Sequence, residues 1–393
     1  MTVNQIYTLV NTALGETTGV TAILEEDLKN LVDVGNDVFN ANAVDNYCRS
    51  LVNVIGKTIF VNRPYKGKVA KLRRDGWEFG SVLRKIRVVP MEAVENKSWN
   101  LTKNTSYDPN VFVPAATHEK FWNDRTTFEV DISLPEYQVK ESFQSAEQMG
   151  SFIAMIETMI GNVFEKAMEN LSRRTLNNLI AETIYSDYTN TDLTAKSGVR
   201  AINLLYEYKQ YSGAGADLTP AKAIYDPGFI RFAVQRMGEV KDYLAEWTKI
   251  YNIGGTDKHT PADRLNVFLL SKFQKAAETY LYGGAGQFKT EYVMLPAAEP
   301  IGFWQGTGSI SDGSALSFES VSKINVKTSE GHTVTAGGIL GVMCDIDAAL
   351  ITNEDRRVTS GYNPKGDFYN YFHKMTCQFM NDFDENCVVF FVA

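Results

Sequence analysis

The sequence predicts an α+β protein assembled from several parts, and three observations point there. At 393 residues the chain exceeds what one hydrophobic core of ordinary size organises. A helical periodicity runs unbroken for about 35 residues after position 145. Strand-type patterns lie on both sides of it: strict alternation at 127–134, and continuous apolar runs at 338–344 and 387–392.

The helix carries the strongest signal. Phe152, Ile153, Ile156, Met159, Ile160, Val163, Phe164, Ala167, Met168 and Leu171 recur at spacings of three and four, so Phe152, Ile156, Ile160, Val163, Phe164 and Leu171 are expected on one core-facing stripe. Ser145 and Gln148 form an S-x-x-Q capping box at its start. Continued through Leu176, Leu179 and Ile180, the helix would be about 50 Å long at 1.5 Å per residue. A rod of that length is a spine, and what it supports should be broad and thin.

Ahead of the spine, residues 82–89 read as a strand ended by Pro90. Phe128, Val130, Ile132 and Leu134 alternate with Thr127, Glu129, Asp131 and Ser133 in a second strand, ended by Pro135. About 35 residues rich in Asn, Thr, Ser and Pro separate them, longer than a connection inside a compact domain needs. The expectation is an extended hairpin that grips a neighbour. Its cross-strand pairing would set Arg84, Lys85 and Arg87 against Glu129 and Asp131, each opposed pair contributing about 0.2–1 kcal/mol.

The first 60 residues read as an arm of short helices. Val3, Ile6, Tyr7 and Val10 form one stripe; Leu24, Leu28, Leu31 and Val32 form another behind the acidic turn Glu25-Glu26-Asp27. Neither is long enough to be stable alone. From Lys57 to Arg87 the chain is strongly basic, against a net charge of −8 for the whole. Arg63, Lys66, Lys68, Lys71, Arg73 and Arg74 are the candidates for an interaction surface, facing acidic patches of neighbouring copies or the phosphates of DNA; a solvated basic loop is the plain alternative.

Beyond the spine, short helices and strands alternate from about 190 to 340. A helix over 229–247 is introduced by Asp226-Pro227, a strand covers 265–270 and a helix 272–281, with glycine-rich loops at 283–286 and 306–313. The segment Phe368-Tyr369-Asn370-Tyr371-Phe372 suits strand core.

Several classes of chemistry are disfavoured. The acidic balance does not suit a dedicated nucleic-acid reader. Cys48, Cys344, Cys377 and Cys387 lack C-x-x-C spacing, and His118, His259, His332 and His373 belong to no metal motif. The glycine-rich loops match no phosphate-cradling pattern, and no G-x-S-x-G elbow is present. Asp345, Asp347, Asp382, Asp384 and Glu385 read as turns and caps rather than a cation site. No catalytic, cofactor or metal site is expected, and the chain is not expected to be an enzyme. The N-terminus lacks a signal-peptide pattern and no window of about 18 apolar residues exists, so the expected setting is cytoplasmic, without a membrane span or a cleaved N-terminal propeptide.

The order of these parts resembles the major capsid proteins of tailed bacteriophages with the Hong Kong 97-like fold. The resemblance covers essentially the whole chain. It is sharpened by Gly341-Val342-Met343-Cys344-Asp345, by Thr352-Asn353-Glu354-Asp355-Arg356-Arg357-Val358-Thr359, and by Asn381-Asp382-Phe383-Asp384-Glu385-Asn386 before the apolar terminus. It implies an N-terminal arm (1–60), an extended hairpin loop with the basic segment (61–137), a peripheral domain with the spine helix (138–194), an axial domain (195–337) and strands returning to the peripheral domain (338–393).

The same resemblance implies self-assembly into pentamers and hexamers of an icosahedral virion shell around double-stranded DNA, formed in the host bacterial cytoplasm. A portal and a separate scaffolding protein would be the other partners. Some such shells are joined by Lys–Asn isopeptide bonds; Lys97, Asn100, Lys103 and Asn104 are the nearby residues, and their presence alone does not argue for crosslinks. An encapsulin-type nanocompartment is the alternative within the fold, and a cytoplasmic oligomeric enzyme the alternative outside it.

Overall fold

A computed structural model describes residues 67–74, 83–89, 91, 93–110, 112–135, 146–189, 192–213, 218–282, 298–305, 316–353, 356–366 and 368–393, with Tyr7, Val10–Thr12 and Leu14 near the start. Strands β1 (Arg73–Arg74), β2 (Leu83–Val88), β3 (Thr117–Trp122) and β4 (Arg125–Pro135) precede the long helix α1 (Ala146–Tyr188). Then come β5 (Ala201–Asn203), α2 (Leu204–Ser212), α3 (Pro220–Ala223) and α4 (Pro227–Ala245). The middle continues with β6 (Leu265–Leu270), α5 (Ser271–Tyr282), β7 (Glu299–Ile301) and α6 (Phe318–Val321). The hairpin β8 (Ile324–Lys327) and β9 (Thr333–Ala336) leads to β10 (Ile339–Asp345), β11 (Ala349–Asn353), β12 (Arg357–Asn363), β13 (Phe368–Asn381) and β14 (Cys387–Phe391).

Helix α1 spans 43 residues, roughly 65 Å at 1.5 Å per residue. It is longer than its apolar stripe alone suggests because its two halves serve different cores. In the first half Ile160, Phe164, Met168 and Leu171 are buried with Ile351, Met375 and Cys377, and Ile156 packs beside them. In the second half Leu176, Leu179, Ile180, Ile184 and Tyr188 join the main core. The hydroxyls of Ser172, Thr175 and Thr183, buried between, donate to carbonyls four residues back (2.8, 2.9 and 2.8 Å), so none is left unsatisfied. Val163, expected on the core face, is exposed instead, as is Met159. Both lie on the flank of a stripe that is one residue narrower than the periodicity implies. The side chain of Phe152, and Ser145 of the capping box, lie outside the described residues, as do most of the arm's stripes; of the arm, Val10 and Leu14 are helical and buried.

The first core lies under a five-stranded sheet. β13 pairs antiparallel with β11 and β12 along one side and with β4 along the other, and β1 joins β11 in parallel. The alternation read from the sequence holds in β4. Phe128, Val130 and Ile132 pack towards α1, while Thr127, Glu129, Asp131 and Ser133 face outward.

The second sheet runs β5-β14-β10-β6-β7. β10 and β14 are buried along their whole length, which is why they read as unbroken apolar runs. Gly341 is required in β10, since a Cβ there would strike the Leu269 side chain. Around this sheet α4 begins at Asp226, whose carboxylate accepts from the Phe229 amide (2.7 Å) with Pro227 in the first turn. The closing residues 338–393 therefore divide between the two sheets, instead of returning to one: β10 and β14 enter the second, β11 to β13 the first.

The hairpin expectation is corrected most sharply. β2 does not pair with β4; it pairs with β3 from Leu83↔Trp122 to Val88↔Thr117. β4 is the long outer partner of β13. Glu129 thus faces Lys374, at 3.3 Å, and Asp131 faces Phe372. Neither meets Arg84, Lys85 or Arg87. Pairing with β13 engages all eleven residues of β4, more than six-residue β2 could.

Candidate assembly surface

Among the described residues, strands β2 and β3 pair with each other in a two-stranded ribbon and form no strand ladder with either large sheet. The 28 residues between them carry Met91, Val94, Trp99, Leu101, Phe112 and Val113, all exposed, with Trp99 at 95%. Between 91 and 119 every side chain described is exposed. So many large apolar groups on one stretch exceed the scattered singles of an ordinary surface.

At its root the ribbon rests on a cluster of charge. Lys85 Nζ lies 2.7 Å from Asp382 and 2.5 Å from Glu385. Lys120 Nζ lies 2.9 Å from Asp382 and 2.7 Å from Asp384. Arg87 reaches Asp384 at 3.5 Å and donates to the Thr256 hydroxyl at 3.2 Å. Lys258 approaches Glu385 from the body at 2.6 Å, and the Trp122 indole donates to the Asn381 carbonyl at 3.2 Å. Arg84 points the other way and pairs with Glu119 within the ribbon, at 2.5 Å.

Burial on its own would lower the Lys85 pKa; the charge and hydrogen bond of Asp382, then Glu385, outweigh it and hold the ammonium above its usual value. Burial on its own would raise the Asp382 pKa, and the charge and hydrogen bond of Lys85, followed by Lys120, bring it below the usual carboxylate range.

The cations of the basic segment divide where it is described: Arg73 turns inward, and Lys68, Lys71 and Arg74 are exposed. Arg73 pairs with Glu165 of α1, which also accepts from the Gly67 amide (2.7 Å). Arg74 pairs with Asp347 (2.6 Å), and Arg264 bridges Asp347 and Asp345 at 2.6 and 3.1 Å. Arg73 thus serves to dock β1 within the chain, against the expectation that it faces outward, whereas Arg74 makes its pair and stays exposed. Lys68 and Lys71 are exposed, and the Lys71 amide donates to Glu299 (3.3 Å). Arg63 and Lys66 lie outside the described residues.

A groove of about 490 Å³ opens beside the ribbon root, lined by Lys120, Trp122, Arg174, Asn178, Phe379 and Phe383 among others. The described residues contain no cluster of His, Cys, Asp or Glu that could hold a metal ion. No helix among them is long and apolar enough to cross a membrane. Sequence reasoning missed β3 and the partners of its cations. The signal available was the density of charge in Asp382-Phe383-Asp384-Glu385, read as a solvated turn.

The family model for the Phi29-like phage major capsid proteins matches residues 6–391. The chain belongs to that family, and it is a bacteriophage major capsid protein, a component of the virion. Among solved structures, it is similar to the capsid structure of Staphylococcus phage Andhra, with 10% identity, a TM-score of 0.48, and 82% of this chain and 83% of that one covered. The structure of the head fiber and inner core protein gp22 of bacteriophage P68 gives 9% identity, a TM-score of 0.49 and coverage of 85% and 86%. The capsid structure of cyanophage P-SCSP1u gives 10%, 0.42, and 81% and 85%. No curated protein matches the sequence.

Proposed function

We propose that this capsid protein tiles a closed icosahedral shell of pentamers and hexamers around double-stranded DNA, in the Hong Kong 97-like arrangement. On this reading α1 with the β13 sheet is the peripheral part, the β10 sheet the axial part, and the β2–β3 ribbon the extended loop. The observation that carries it is the exposed apolar stretch on the ribbon, from Met91 to Val113. A single chain has no use for Trp99 and Phe112 in water; a second copy covers them. Repetition of one such contact around a symmetry axis closes a ring, and many weak contacts together hold a shell.

The ribbon, more than Arg73, is the reaching element, and Lys68 is an exposed cation of the basic segment that on this reading meets neighbours or DNA phosphates. A portal and a separate scaffolding protein complete the proposed partners, with assembly in the host cytoplasm. The family match favours the phage shell over the nanocompartment and the enzyme.

Electron microscopy of the purified protein tests the proposal. Closed particles with five- and six-fold capsomers are the expected result. A population of small oligomers under every salt and pH condition that keeps the chain folded would refute it.

A further inference from the structure

The β2–β3 ribbon contains a contradiction of its own. Its register sets Lys85 directly opposite Lys120, and Arg87 opposite His118. Like charges facing each other across an antiparallel pair, as Lys85 and Lys120 do, destabilise it. A two-stranded ribbon is already marginal in water. Among the described residues of the ribbon, the one ion pair joins Glu119 to Arg84 and leaves Lys85 and Lys120 uncompensated.

The compensation comes from about 260 to 300 residues further along the chain. Asp382 bridges both facing lysines; Asp384 joins Lys120 and Arg87; Glu385 joins Lys85. The turn bearing these carboxylates is itself fixed. The Asp382 amide donates to the Ala348 carbonyl (2.9 Å), Ile253 and Gly254 donate to the Phe383 carbonyl (3.0 Å each), and Cys387 donates to the Tyr251 carbonyl (2.9 Å). Among the described residues, the ribbon's hydrogen bonds and ion pairs to the body converge on Asn381–Glu385 and Thr256.

We propose that the acidic turn Asp382–Glu385 is a dock that aims the β2–β3 ribbon before any neighbour is met, with Lys85, Arg87 and Lys120 as positioning residues. Undocked, the ribbon loses both its direction and its pairing, because the facing cations then repel. The acidic turn and the root of the ribbon thus act as one hinge. What the aimed ribbon does in a shell rests on the function proposed above; the docking itself does not.

Hydrogen–deuterium exchange of the full chain, read on peptides covering 83–89 and 116–122, tests the dock. Asp382→Asn removes the charge and keeps the shape; exchange in both strands should rise several-fold while β10 and β14 stay protected. Asp382→Glu should restore protection, and Arg84→Gln, whose ion pair lies inside the ribbon, should leave the link to the body intact and raise exchange far less.

Raising the salt concentration on the wild-type chain is the second arm, needed if Asp382→Asn fails to fold. The Asp382 carboxylate is buried while Lys85 and Lys120 are about a quarter to a third exposed, so screening is weaker than between surface charges and the series runs to molar salt, where the same two peptides should lose protection first. Unchanged exchange of 83–89 and 116–122, in a folded Asp382→Asn chain or across the salt series, overturns the proposal. The readout lies within one chain, so it stands apart from whether shells form.

Discussion

Lys85 Nζ sits 2.7 Å from Asp382 Oδ2 across 297 residues of sequence. That contact ties the ribbon ahead of the spine helix to the turn that enters the final strand. Neither residue is informative alone: one is a lysine in a basic strand, the other an aspartate in a polar turn. Together they fix where the exposed apolar stretch begins.

The pair makes the ribbon root stable over a defined pH window. The Asp382 pKa is depressed, so its contribution is complete above the usual aspartate value of 3.8 and disappears as pH falls through the lower native value. The Lys85 pKa is raised, so its contribution is complete below 10.5 and is lost as pH rises through the higher native value. Tryptophan fluorescence, which includes Trp122 at the root, should be flat between these limits and change outside them. Lys85→Met should cost about 1–3 kcal/mol in denaturant unfolding, because Asp382 and Glu385 keep their burial and lose a partner.

Two neighbouring positions on α1 should behave in opposite ways. Ile160 is fully buried between the helix and the β13 sheet, whereas Val163 is 44% exposed. Ile160→Ala should destabilise by about 2–5 kcal/mol, and Val163→Ala should stay within about 0.5 kcal/mol in the unassembled protein. Urea unfolding of both variants checks this.

His373 is buried on β13, where the Arg356 guanidinium bonds its ring and lies over Phe164 at 5.1 Å. Burial first, and the Arg356 charge second, push its pKa down to about 3 from 6.5. Between those values the unfolded chain takes up a proton that the native state refuses, so stability falls as pH drops through this range. His373→Asn should flatten the slope of stability against pH there by about one proton.

Cys344 and Cys387 face each other across β10 and β14, buried. Burial pushes the Cys387 thiol up to about 12 and the Cys344 thiol well above its usual value. Few thiolates form, and reagent cannot reach them. Alkylation of these two cysteines, followed by peptide mass spectrometry, should track global unfolding and show no fast phase.

Much of the fold is legible in the sequence where one residue pattern answers to one environment. Strands β6, β10 and β14 are buried on both faces and read as apolar runs. β4 is buried on one face and alternates; α4 announces itself through Asp226-Pro227. The rest depends on choice of partner, which local pattern does not encode. β4 alternates equally well whether it pairs with β2 or β13, so its pattern does not name the partner. β3, Thr-His-Glu-Lys-Phe-Trp, has no buried face and so gives no period. Arg73 reads as surface charge because Glu165, which receives it, lies about 90 residues away.

If the exposed ribbon joins copies of the chain, sedimentation velocity of Trp99→Asp/Phe112→Asp beside the wild type will show it. Both side chains are exposed in the single chain, so the melting temperature of the unassembled protein should be unchanged. The wild type should sediment as large closed particles and the double variant as free subunits or small oligomers. Particles of wild-type size and yield from the double variant would contradict it.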